Sequence, residues 1–336
     1  ILVLQIFTLL YLIRAARNLG SKATKHQQQL MENINMLRSS GRSNILNHLA
    51  IPNSKEFRSV SWDHVISLTS HPARFSTLGI AIDQLLNQHL IPKHVYLNIA
   101  QSDLDKLPPA IKNLEAGGIL KINSCADLGP GKKLIPTLKL EENLPIIVVD
   151  DDLFFETDLT LKLMVQHHLT PKSIIASRVH KIAYESDGSI ASYSKWAKNY
   201  SLSNGPDVDF FATSGAGTLY KKEFFHKDVL DEETYKSLSL HTDDLWWYVQ
   251  SKRAGVTTKL MPGYSKLEFI TGTQENGLWN TGNQDRNDPN LKSLLSKLVA
   301  GEGFEPSKAE PGDLQSPPIG RSGNPPGLLS AVKCKA

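Results

Sequence analysis

Cysteine is nearly missing from this chain: Cys125 and Cys334 are the only two in 336 residues. Two cysteines so far apart build neither a disulfide framework nor a cysteine-based zinc site, so a reducing compartment is permitted. Charge of one sign is also scarce. Lys+Arg 37 against Asp+Glu 34 leaves +3, too little for nucleic-acid binding to be the main business. No apolar run is long enough to span a bilayer, which takes about 20 residues; Ile1 to Ile13 is short. Its positive charges, Arg14 and Arg17, follow the run, the reverse of a secretory signal. The Gly-x-x-x-x-Gly-Lys-Ser/Thr phosphate loop is absent, and so is any internal repeat. What is present, 40% hydrophobic and 21% charged residues, is the make-up of a soluble globular protein.

The two ends differ from the middle. Between Arg14 and Arg58, eight basic residues face only Glu32 and Glu56. The basic leader, residues 1–59, reads in one of two ways. It rests peripherally on an anionic membrane surface beside the clipped end of a longer anchor, or the residues before Met31 or Met36 lie upstream of the true start. The tail, residues 296–336, is expected to be disordered, since Gly301 to Leu328 is dense in Pro, Gly and Ser and has few large apolar residues. Its Gly303-Phe304-Glu305-Pro306 is what a transfer-RNA T-arm encodes when a reading frame runs into it, so the tail reads as spurious readthrough.

Residues 60–295 are expected to form one α/β domain. Val65–Thr69, Val95–Ile99, Ile119–Ile122, Ile146–Val149, Ser173–Ser177 and Gly255–Leu260 are short apolar runs with strand composition. Between them, Arg74 to Gln88, a stretch opened by Leu107-Pro108-Pro109 and closed by Gly117-Gly118, and Asp158 to His168 carry helical spacing. This alternation predicts βαβ units and a mostly parallel central sheet flanked by helices. Asp187-Gly188 predicts a hairpin turn. Thr242 sits where a helix N-cap belongs, and Gly272 to Asn290, rich in Asn, Gly and Thr, predicts a loop over the site.

Four clusters carry the chemistry. The first is Asp150-Asp151-Asp152, which ends the apolar run Ile146–Val149, and ligands of open α/β sheets bind beyond the carboxyl ends of strands. In an extended chain Asp150 and Asp152 share one side. Two such carboxylates repel unless a cation intervenes, which a hard divalent metal completed by substrate phosphates supplies; a solvated acidic turn is the plain alternative. The second is Ser70, His71 and Arg74 after the first strand, where the planar guanidinium suits phosphates and bases. The third is Asp127 with Gly129, Gly131, Lys132 and Lys133, glycines and cations at a helix start that favours anions. The fourth is Asp243-Asp244 ahead of Leu245-Trp246-Trp247, either complementing the helix dipole or supplying a general base, with the tryptophans lining a carbohydrate wall or filling the core. Gly215 and Gly217, inside an apolar stretch, mark a place where backbone or ligand comes close.

From Val65 to Asn290 this order of features resembles the GT-A class of nucleotide-sugar glycosyltransferases, in particular the bacterial family-2-like enzymes. Val65-Ile-Ser-Leu-Thr-Ser-His-Pro-Ala-Arg-Phe75 is similar to their first strand and nucleotide loop, Asp150-Asp151-Asp152 to their Asp-x-Asp metal motif, and Thr242-Asp243-Asp244 to the acidic pair that supplies the base. The pair is Asp-Asp where many relatives have Glu-Asp, so either carboxylate could serve, Asp244 being the better match. The resemblance implies a Rossmann-like GT-A fold with a smaller acceptor-side subregion. It implies Mn²⁺ or Mg²⁺ at Asp150 and Asp152, and a nucleotide-diphosphate sugar bound by Ser70, Arg74, Asp127, Lys132, Lys133, Asp150, Asp151, Gly215 and Gly217. The acceptor would be a glycan or lipid-linked glycan, configuration would be inverted, and the work would be surface-polysaccharide assembly in the cytoplasm, at the inner face of the membrane. A sugar nucleotidyltransferase would want a glycine-rich loop after the first strand, where Ser-His-Pro-Ala-Arg stands. A non-catalytic carbohydrate-binding protein of the same fold would have no need of both acidic clusters.

Overall fold

The computed structural model describes residues 61–263, 267–274 and 284–299. The apolar run Ile1–Ile13, the basic leader and the Pro/Gly-rich stretch from Gly301 lie outside the described residues. The architecture is α/β. Seven strands make one sheet, and in chain order its members are β1 (Val65–Thr69), β2 (His94–Ala100), β3 (Leu120–Cys125), β4 (Ile146–Val148), β5 (Ile174–Ala176), β8 (Thr218–Tyr220) and β9 (Thr258–Leu260). Across the sheet they stand β3-β2-β1-β4-β8-β5-β9. All neighbouring pairs are parallel except those of β8, which runs against both β4 and β5. The remaining strands, β6 (Val179–Lys181) and β7 (Phe210–Ala212), pair antiparallel as a separate small sheet.

Helices α1 (Leu78–Leu86), α2 (Pro109–Leu114), α3 (Ile135–Leu140) and α4 (Leu159–Leu169) link the early strands, as parallel pairing requires. In β4, Ile146, Ile147 and Val148 are all fully buried. A strand covered on both faces has no polar side, so its sequence is an unbroken apolar run. Truncating Ile147 to Ala there costs about 2–5 kcal/mol.

Two polar residues interrupt the buried strands. Ser67 of β1 donates to the Lys133 carbonyl at 2.6 Å and lies 2.6 Å from the Thr137 hydroxyl. Asn98 of β2 donates to Ser67 Oγ at 3.1 Å and to Thr137 Oγ1 at 3.0 Å, and accepts from Asn123 at 2.8 Å. Buried polar groups persist when their partners are present. This network pins the loop that carries Lys133 onto the middle of the sheet.

After β8 come α5 (Glu232–Ser239), α6 (Asp243–Arg253) and, beyond β9, α7 (Gln284–Leu294). One expectation of secondary structure needs correction, the loop expected over Gly272–Asn290: α7 occupies residues from Gln284 onward, and one π-helical turn, Leu295–Val299, continues past the expected tail boundary. Helix α5 was not foreseen, although Asp231 announces it by accepting from Thr234 N at 3.0 Å as an N-cap. Thr242 holds the N-cap position of α6 without capping by its side chain; its hydroxyl instead meets Ser239 at 2.9 Å and accepts from Asn290 at 2.9 Å. The Asp187-Gly188 turn is present, with Gly188 at φ 83 and a Tyr184–Ile190 bridge.

Candidate active site

The chain leaves β1 for β2 on one side, then returns to place β4 on the other side of β1. That reversal makes the carboxyl ends of β1 and β4 a topological switch point, the place where open α/β sheets bind ligands. Residues 70–74 follow β1 and residues 150–152 follow β4, so two of the four clusters meet there by topology.

The aspartate triplet does not keep strand alternation. Strand β4 ends at Val148 and the chain bends at Asp151 and Asp152, which lets consecutive carboxylates reach one guanidinium. Arg74 Nη1 lies 2.6 Å from Asp151 Oδ1 and Nη2 lies 3.0 Å from Asp152 Oδ2. Gln274 donates to Asp152 Oδ2 at 3.0 Å. Asp150 turns instead to Lys133, whose Nζ is 2.8 Å from its Oδ1. Arg74 therefore grips the acidic triplet instead of lying open as a free fork. Ser70 is buried beside it.

The same Lys133 ammonium lies 3.0 Å from Asp243 Oδ2. One buried cation thus joins the strand-end triplet to the head of α6, two segments ninety residues apart. Burial alone would lower its pKa, but Asp150, Asp243 and Asp244 outweigh that and hold it well above the ordinary lysine value.

Among the described residues Asp244 has no comparable salt bridge. Its Oδ1 accepts from the Ser214 N–H at 3.0 Å and from the Ser214 hydroxyl. Burial, with the charge of Asp243 beside it, pushes its carboxyl up to about 7 against the partial relief given by Lys133 and Ser214. Gly215 follows Ser214, and a Cβ on it would stand 1.7 Å from Asp150 Oδ2. Its carbonyl accepts from the Asp150 N–H at 2.9 Å. Only glycine lets the triplet seat against the loop that holds Asp244.

Gly129, Gly131 and Gly217 face protein. Gly217 has φ +107, and a Cβ on it would touch Leu159 at 3.0 Å. Gly131 lies under the Tyr235 ring, and Gly129 (φ +52) under the Leu240 carbonyl. They seat the 129–133 turn against α5 and the α5–α6 corner. Asp127 holds that turn from its start, accepting from Gly129 N at 3.1 Å and from Lys132 Nζ. Trp246 and Trp247 are core, at 0% and 1% exposure; the first donates to the Val229 carbonyl at 3.1 Å, and the second stacks on Tyr235 at 6.2 Å. They line no wall.

Sequence reasoning passed over Ser214, Gln274 and the Ser67–Asn98–Thr137 network. Polar residues inside the apolar runs Val-Ile-Ser-Leu and Tyr-Leu-Asn-Ile were the available signal for the network, and Ser directly before Gly215 was the signal for the loop.

The triplet's chemistry suits a hard cation. Burial and the neighbouring Asp150 charge push the Asp152 carboxyl up to about 6 in spite of Arg74, and the buried Asp151 Oδ2 accepts no hydrogen bond from the described residues. Negative charge here exceeds what the side-chain cations balance. The donors are oxygens, the ligand type of Mg²⁺ and Mn²⁺. No group of three or more His, Cys, Asp or Glu side chains among the described residues forms a ready cage. The residues fit an ion held by one or two carboxylates and completed by a ligand's own oxygens.

No protein-family model matches the chain, and no curated protein sequence does. Solved structures similar to it include residues 1–349 of S. aureus TarS, alone and in complex with UDP. Each is 13% identical with a TM-score of 0.40, over 72% of this chain and 74% of that one. Among the described residues no helix is long and apolar enough to cross a membrane.

Proposed function

We propose that the chain is a glycosyltransferase that moves a sugar from a nucleoside-diphosphate donor to an acceptor hydroxyl. The observation that carries this reading is Lys133 bridging Asp150 at 2.8 Å and Asp243 at 3.0 Å. A charge-holding cluster and a carboxylate free of a cation's grip stand side by side at the carboxyl end of the sheet.

Asp244 is the base. A carboxyl near pH 7 is half ionised under neutral conditions, close to the optimum for a general base. It takes the proton from the acceptor hydroxyl as that oxygen bonds to the anomeric carbon. The bond from that carbon to the diphosphate oxygen breaks, and the electron pair leaves with the nucleoside diphosphate. Attack from the face opposite the leaving group inverts the configuration. Asp152, with Asp150, would hold Mg²⁺ or Mn²⁺. Held there, it would offset the charge that develops on a departing diphosphate. Lys133 keeps Asp150 and Asp243 in register, and the buried side chain of Lys132, fixed by Asp127, adds positive charge at the same end of the sheet. Ser70 lines the nucleotide side, with Arg74 acting through the two carboxylates it grips. The acceptor is a glycan or lipid-linked glycan.

Incubating the full chain with a panel of nucleotide sugars and Mn²⁺ tests this reading. Release of free nucleoside diphosphate, dependent on Asp244, is the expected result. Pyrophosphate exchange would instead mark a nucleotidyltransferase, and sugar binding without turnover would mark a non-catalytic protein.

A further inference from the structure

Thr213, which precedes Ser214, ties the loop under Asp244 to Arg178. Its N–H donates to the Arg178 carbonyl at 3.1 Å, and its hydroxyl accepts from Arg178 Nη1 at 3.0 Å. On the far side, Arg178 Nε donates to Asn199 Oδ1 at 2.6 Å. Asn199 sits in the left-handed region at φ 50, a conformation asparagine tolerates better than most residues, and its N–H donates to His180 Nδ1 at 3.1 Å. The guanidinium is thus oriented at both ends by neutral side chains.

Lys198, the residue before Asn199, lies over the Tyr193 ring with Nζ 2.8 Å from the centroid, and 5.5 Å from that of Trp196. Among the described residues neither Arg178 nor Lys198 has a carboxylate within 4.0 Å. The acid that weighs on Lys198, Asp288, accepts from the Tyr193 N–H at 2.6 Å. The two cations feel each other: burial and then the Arg178 charge lower the Lys198 ammonium to about 8, and burial with the same two charges lowers His180 to about 3. Asp244 in turn raises the Tyr193 hydroxyl after burial, while Arg178 opposes it; Ser214, which donates to Asp244, and Thr213, which accepts from Arg178, are consecutive residues, so base and guanidinium are held by one loop.

Like charges set together with no carboxylate in ion-pair contact are unfavourable. Such an arrangement is held where the surrounding structure enforces it, and functional sites are where that happens. With Nε and Nη1 donating to Asn199 and Thr213, Arg178 keeps its remaining guanidinium N–H groups for an oxyanion, and Lys198 adds an exposed point charge.

We propose that Arg178 and Lys198 form an anion subsite beside Asp244 that binds a phosphate or carboxylate carried by the acceptor sugar. This rests on the transferase reading for the word acceptor, but the subsite is testable by binding alone. The probes are glucose, glucose 6-phosphate and glucuronate, titrated into the full chain and followed by tryptophan fluorescence and calorimetry. At least tenfold tighter binding of the charged sugars than of glucose is expected, with the preference lost in Lys198→Gln and in Arg178→Gln. Whichever charged sugar binds more tightly identifies the anion. Should Arg178→Gln fail to fold, Lys198→Gln at its exposed position carries the test. Equal affinity for all three sugars, or a charge preference that survives in the variants, overturns the subsite. Donor hydrolysis measured separately on the unmodified chain reports on the transferase reading without touching this one.

Discussion

The two acidic clusters share a lysine but are neutralised in different ways. The Asp150–Asp152 triplet is gripped by Arg74, Lys133 and Gln274, with ion-pair distances of 2.6 to 3.0 Å. The Asp243–Asp244 pair has Lys133 on its first member, and its second rests on the neutral Ser214. The first arrangement holds charge in place. The second leaves a carboxyl poised to gain or lose a proton. The proposed transfer would need this asymmetry, because a base clamped by a cation would be too weak.

The largest blow to the comparison is Lys133→Met, which strips the shared cation from both clusters. Removing one partner of a buried ion pair costs about 3–5 kcal/mol, and denaturant midpoints should fall accordingly, with transfer lost. A midpoint within error of the unmodified chain would mean that the two clusters do not depend on the lysine. Asp244→Asn is aimed at one cluster. Transfer should drop by about 10²–10⁴-fold while nucleotide binding and melting temperature hold, since the Ser214 contact survives in part.

Gly215→Ala breaks the seam between the clusters. Its Cβ would overlap the Asp150 carboxylate, so Asp150 must leave Lys133. We expect a stability loss of about 1–3 kcal/mol and a rate loss of about 10²-fold, the scale of a 1 Å misplacement. Unchanged values in both assays would show that Asp150 is free to move without consequence.

Two smaller effects sharpen the contrast. Asp152 and Asp244 have folded pKa values raised to about 6 and about 7 from 3.8. A raised carboxyl binds more protons folded than unfolded, so its stabilisation is complete below about pH 4 and lost as pH climbs through 6 to 7. Metal-free unfolding free energy should decline over that window, and Asp244→Asn should flatten the upper part of the decline. The smallest effect is Mn²⁺ with a nucleoside diphosphate, which should raise the melting temperature by a few degrees. Asp152→Asn should abolish that rise, and a rise that persists places the ion elsewhere.

Much of this was legible in the chain because burial writes plainly. Ile146–Val149 is apolar throughout because both faces are covered, and its abrupt end in three aspartates marked the candidate site. The order of strands and helices gave the parallel half of the sheet for the same reason. Three things were hidden. Antiparallel β8 cannot be told from a parallel strand by composition, since Thr218–Tyr220 is buried like its neighbours. The glycine pattern leaves open whether backbone or ligand comes close, and Gly131 and Gly217 meet Tyr235 and Leu159, contacts made by segments remote in sequence. Arg74 and Lys133 were read as cations for phosphate, and nothing local in the chain shows that each finds carboxylates 77 and 17 residues away.

The most direct test of the shared site is the pH dependence of single-turnover sugar transfer by the full chain, compared with Asp244→Asn. The rate should rise with pH through a step near 7 in the unmodified chain, and the variant should show neither the step nor appreciable transfer. An unmodified rate and an unmoved step in Asp244→Asn would contradict the account.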